Sequence, residues 1–154
     1  MVARACGIIS FVPRPRDIGL RVRVEQASRQ AEPETGRWLV AWQIRNLGKQ
    51  PLQIMTARLP HGRFRSKERE LPAALTLLPG QSTRLEVSVA CHESPGTVVE
   101  NAFLILRVLW QDEPWQVFAR FRVVFDEHGG PETTTELITT QPVGFSTGRK
   151  KRKA

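Results

Sequence analysis

Apolar side chains recur at every second position along most of this chain. A period of two builds strands, because successive side chains of a strand point to opposite faces, and it is incompatible with an amphipathic helix. Residues 18–25, IGLRVRVE, put Ile18, Leu20, Val22 and Val24 on one face and Arg21, Arg23 and Glu25 on the other. Residues 38–45, WLVAWQIR, gather Trp38, Val40, Trp42 and Ile44. TRLEVSVA does the same with Leu85, Val87 and Val89, and WQVFARFRVVF with Trp115, Val117, Ala119, Phe121, Val123 and Phe125. No window of comparable length keeps helical spacing, and the PAAL stretch at 72–75 supports one helical turn at most.

Turn chemistry separates the runs. Asn46-Leu47-Gly48 follows the second, Pro79-Gly80 and Pro95-Gly96 bracket QSTRLEVSVA, and Asp112-Glu113-Pro114 lies between two β-rich segments. Pairing Trp110 with Trp115 across that last loop predicts an antiparallel hairpin. In that register Val108 faces Val117, Leu106 faces Ala119, Leu104 faces Phe121 and Ala102 faces Val123, so both inner faces are apolar. A one-residue slip would bury Arg107 or Arg120. The outer face of the hairpin then holds Phe103, Ile105, Arg107, Leu109, Phe118, Arg120, Arg122 and Val124, with Phe103 opposite Arg122, Ile105 opposite Arg120 and Arg107 opposite Phe118.

About seven such strands predict an all-β fold, an antiparallel sandwich. The stretches WQIRNLGKQPLQI and LTLLPGQSTRLEVSV resemble the Asn-x-Gly turn and the Pro-Gly-led strand of bacterial immunoglobulin-like and fibronectin type III-like modules. The resemblance spans roughly residues 18–126 and implies an immunoglobulin-like β-sandwich; it implies no particular function. Around it, residues 1–17 are expected to pack on the domain. Residues 127–147 form a Thr/Pro/Gly-rich extended segment in which TELITTQPVGF docks, and residues 148–154 form a disordered basic tail.

With 154 residues the chain is long enough to bury a core without metal or disulfide support. Its formal charge of +8 is unevenly placed, since Arg149, Lys150, Lys151, Arg152 and Lys153 alone contribute five positive charges. Cys6 and Cys91 form no CxxC and belong to no ligand cluster, and both are expected as free thiols. The apolar stretch ACGIISFV is short for a signal core and PRPR follows it, so the start is expected to belong to a cytoplasmic domain. No run is long enough for a membrane span.

Catalysis finds little footing. The three histidines, His61, His92 and His128, each neighbour a turn, and there is no nucleophile elbow, phosphate loop or dinucleotide fingerprint. No enzyme activity, cofactor or metal is therefore expected; Asp126-Glu127-His128 and Asp112-Glu113 are too few oxygens for a hard cation and read as loop tips. The segment PHGRFRSKERE, if extended, aligns His61, Arg63, Arg65, Lys67 and Arg69 on one face with Phe64 interleaved. That pattern suits phosphate contact and base stacking, and equally the charged edge strand that deters aggregation. The basic tail at Arg149–Lys153 adds electrostatic attraction to a polyanion but no sequence specificity.

The expected role is a non-catalytic module that binds a protein partner or a second copy through Phe103, Ile105, Arg107, Leu109, Phe118, Arg120 and Arg122, with the tail adding affinity for an anionic surface. Non-specific nucleic-acid binding through the 61–69 stripe and the tail is the alternative. So much apolar area on an outer face calls for a cover: either the chain itself, through GIISFV at 7–12 or through Leu137, Ile138, Val143 and Phe145, or a second protein or second copy.

Overall fold

The computed structural model describes residues 19–71 and 75–143. Cys6, the 7–12 stretch, Ile18, most of the PAAL turn, Phe145 and the tail Arg149–Lys153 lie outside them. Every described element is a strand: β1 Val22–Ala31, β2 Arg37–Asn46, β3 Leu52–His61, β4 Phe64–Glu70, β5 Thr76–Leu77, β6 Ser82–Ala90, β7 Val98–Trp110, β8 Glu113–Phe125 and β9 Pro131–Pro142. All pairings are antiparallel, in the order β1-β2-β6-β4-β3-β7-β8-β9, with β5 on β3. The fold is all-β as expected, but it has nine strands rather than about seven, and they curl into one nearly closed barrel. β9 falls within the 127–147 segment and is hydrogen-bonded along β8 from Phe125↔Pro131 to Trp115↔Pro142.

The period-two runs account for the core. Val22 and Val24, Val40, Trp42 and Ile44, Leu85, Val87 and Val89, and the inner residues of β7 and β8 are all buried. At the centre Trp42 stacks on Phe121 with ring centroids 5.4 Å apart and meets Phe64 edge-on at 6.1 Å. Such contacts add about 1 kcal/mol each to the burial of the rings.

The β7–β8 hairpin differs from expectation by two residues. Gln111 and Asp112 both take positive φ, 52° and 61°, so the loop is a two-residue turn that pairs Trp110 with Glu113. Val108 therefore faces Trp115, Leu106 faces Val117, Leu104 faces Ala119 and Ala102 faces Phe121. The Trp110–Trp115, Leu104–Phe121 and companion pairings expected from sequence are shifted accordingly, although Trp110 and Trp115 still meet edge-on at 5.8 Å. An even slip keeps each side chain on its own face, which is why the inner and outer sets survive.

Two seams close the barrel. β4 and β6 share one bridge, Arg65 with Ala90, and below it the Arg69 guanidinium donates to the Glu86 carbonyl. At the other seam the Gln26 side chain stands in for a strand partner. Its Nε2 donates to Pro131 O at 3.0 Å, while its Oε1 accepts from Thr133 N at 2.7 Å. Thr135 Oγ1 adds a bond to Val24 O at 2.6 Å, and Arg29 pairs with Asp126 at 2.6 Å. A bulge between Gln26 and Ser28 marks this place in β1.

Candidate functional site

The face that β3, β7, β8 and β9 turn away from the core carries the expected interaction residues in rows set by the observed register. Arg58, Ile105, Phe118 and Thr139 form one row, and Phe103, Arg120 and Leu137 the next. Thr56, Arg107 and Gln116 lie on one side of them, and Arg122 with Thr134 on the other. The expected pairs Phe103–Arg122, Ile105–Arg120 and Arg107–Phe118 are replaced, by the same two-residue shift. Phe103 and Phe118 touch edge-to-face, with centroids 6.4 Å apart and planes at 89°.

Exposure differs along these rows. Ile105 is only 7% exposed between its neighbours, Phe103, Leu109 and Phe118 are half-buried, and Leu137 is 47% exposed. Leu137, expected to help cover the hairpin, instead widens its outer face, because β9 pairs edge to edge with β8. Ile138 packs against the core. Among the described residues no strand is layered over the face.

Its charges are unequal. Arg122 Nε reaches Glu100 at 3.1 Å and Arg120 Nε lies 3.8 Å from Glu136, while Arg58 and Arg107 have no ion-pair partner among the described residues. Both glutamates sit at bulges, Glu100 next to Asn101 at φ 58°. Sequence reasoning missed Arg58 because a bulge between Ile54 and Thr56 breaks the alternation of β3. Its one signal was its place between Ala57 and Leu59, two apolar residues that both point inward.

The 61–69 stripe does not form a single face. His61 ends β3, Gly62 and Arg63 make the turn, and Phe64 is sealed in the core. Ser66 pairs with Leu59 but Arg69 pairs with Ala57, so an extra residue separates them and Arg65 and Arg69 fall on opposite sides of β4. The Arg63 guanidinium is engaged by Glu93 at 2.7 Å, and the Arg63 backbone N–H donates to His61 Nδ1. Arg65 and Lys67 remain exposed, and they line a cavity of about 610 Å³ at the β4–β6 seam with Leu59 and Ala90.

The loops between β1 and β2, β6 and β7, and β8 and β9 frame a further cavity of about 540 Å³, lined by Glu32, Arg37, Trp38, Cys91, His92 and His128. The hydrogen bond from Arg63 holds the Glu93 carboxyl below its usual range. Cys91 is free and buried, and burial pushes its thiol up to about 11, so it stays protonated at neutral pH and is a poor nucleophile. Among the described residues no three His, Cys, Asp or Glu side chains are placed to share a metal ion, and no helix is long and apolar enough to cross a membrane. No protein-family model matches the sequence, and no curated protein is detectably similar to it.

Proposed function

We propose that this chain is a non-catalytic binding module whose contact surface is the outer face of β3, β7, β8 and β9. One observation carries the reading: Phe103, Ile105, Leu109, Phe118 and Leu137 share that face, and no described strand lies over it. Contiguous apolar area ringed by arginine is the composition of interface centres.

For the fold we propose an immunoglobulin-like sandwich with two strands beyond the expected seven. The barrel is thinnest at β4–β6 and β1–β9, and parting it there would leave β1-β2-β6 facing β4-β3-β7-β8-β9 with β5 on β3, an arrangement compatible with a flattened sandwich. The tail Arg149–Lys153 adds non-specific attraction to an anionic partner. Nucleic-acid binding through the 61–69 stripe has less support, since Arg63 and Arg69 are already occupied.

Phe118→Asp tests the proposal. On a contact face it costs about 2 kcal/mol, the edge contact with Phe103 together with the half-buried area of the ring. A loss above about 3 kcal/mol in urea unfolding, the size of a core truncation, would mean that the chain itself buries this ring.

A further inference from the structure

We infer that the partner is an acidic protein segment bearing large apolar side chains, whose carboxylates meet Arg58 and Arg107. The inference rests on the reading of this face as the contact surface. Four arginines, Arg58, Arg107, Arg120 and Arg122, stand on or beside the apolar rows, and only Glu100 and Glu136 answer them. Arg58 is the cross-strand neighbour of Ile105, and Arg107 sits between Thr56 and Gln116, one row away. Both guanidinium groups therefore flank the apolar centre with no carboxylate of their own among the described residues. Guanidinium binds carboxylate through two parallel N–H bonds, and it loses less hydration than ammonium when an interface closes over it.

Other occupants fit less well. A second copy laid face to face would bring four more arginines to the interface and only two more glutamates, so the excess positive charge would be doubled rather than answered. The chain's own segments bring more cations than carboxylates, Arg4, Arg14 and Arg16 around the 7–12 stretch and five in Arg149–Lys153. Stacked bases need flat aromatic platforms. Here Phe103 and Phe118 are locked edge-to-face, and the remaining groups, Ile105, Leu109 and Leu137, are aliphatic. An apolar side chain between carboxylates matches both the surface and the charge.

The test selects linear peptides from a random displayed library on the full-length protein, with counter-selection on Phe118→Asp. The tail is present in both and cancels. Face-dependent peptides are expected to be rich in Asp and Glu beside large apolar residues, and to lose about tenfold or more in affinity on Arg58→Glu/Arg107→Glu, a variant whose melting curve is recorded alongside and expected to match the parent's. Face-dependent peptides that are neutral or basic would overturn the acidic partner and leave the contact surface standing. Failure to recover any peptide sensitive to Phe118→Asp would overturn both. A deoxythymidine oligonucleotide bound by the parent and released by Arg58→Glu/Arg107→Glu, with no acidic peptide selected, would reassign the face to nucleic acid.

Discussion

Asn46 is the one polar or charged residue sealed in the core among the described residues, at 1% exposure. Its Nδ2 donates to Gln50 O at 2.8 Å and Leu77 O at 3.0 Å, and its Oδ1 accepts from Gly48 N at 2.9 Å. A single amide thus ties the β2–β3 turn to β5. Gly48 completes the motif, since a Cβ there would overlap the Gly19 carbonyl oxygen. Asn46→Asp turns two donors into an acceptor facing carbonyls, and is expected to cost about 3 kcal/mol in urea unfolding. A cost below about 1 kcal/mol would show that those carbonyls find other donors. Cys91 gives a pH prediction at the same scale. Its thiol titrates higher folded, at about 11, than the ordinary 9.0, so the folded state holds the proton more tightly. Stability from this group is complete below the ordinary value and falls as pH climbs from there toward about 11. Alkylation at Cys91 in the native protein, read on its own peptide so that Cys6 does not contribute, should stay slow until that range, whereas a rapid reaction of Cys91 near neutrality would contradict the burial.

At the scale of the element, the β7–β8 hairpin is governed by its turn. Gln111 and Asp112 occupy left-handed conformations that asparagine and glycine adopt at less cost. Gln111→Asn/Asp112→Gly should therefore stabilise the protein by about 1 kcal/mol, read as a higher urea midpoint with unchanged slope. A lower midpoint would be incompatible with the two-residue turn. The turn also sets the candidate face, because the pairing of Trp110 with Glu113 brings Arg120 opposite Phe103 and Phe118 opposite Ile105. The members that β7 and β8 contribute to the candidate site were legible in their alternation, whereas Arg58 of β3 and Leu137 of β9 were not. Its neighbour relations were not, since hydrophobic pattern discriminates odd slips from even ones and cannot discriminate two even registers from each other.

Across the whole molecule, closure depends on side chains where backbone ladders are missing. Gln26 accepts two bonds from Thr133 and donates one to Pro131, holding β9 against β1. Gln26→Ala is expected to cost about 2 kcal/mol, with the carbonyl of Pro131 and the amide of Thr133 left without their partner. Hydrogen exchange supplies the sharper reading. The Thr133 amide should exchange faster while the Trp42 amide in β2 is unchanged, and equal acceleration of both would mean that the seam opens only with global unfolding.

Strand content, the inner residues of each run and the parity of the outer face were fixed by local chemistry, since alternation along one strand needs no knowledge of its neighbours. The Asn-x-Gly turn was likewise readable, though its burial against Leu77 was not. Only tertiary structure decided that TTTELITT is strand β9, because its apolar content is low and its backbone is satisfied by β8 rather than by its own pattern. Tertiary structure also broke the basic stripe at 61–69, through a turn and a bulge that exchange faces, and it brought Arg58 from β3 to the side of Ile105. Each of these depends on which strand lies next to which, a relation made by hydrogen bonds between residues far apart in the chain.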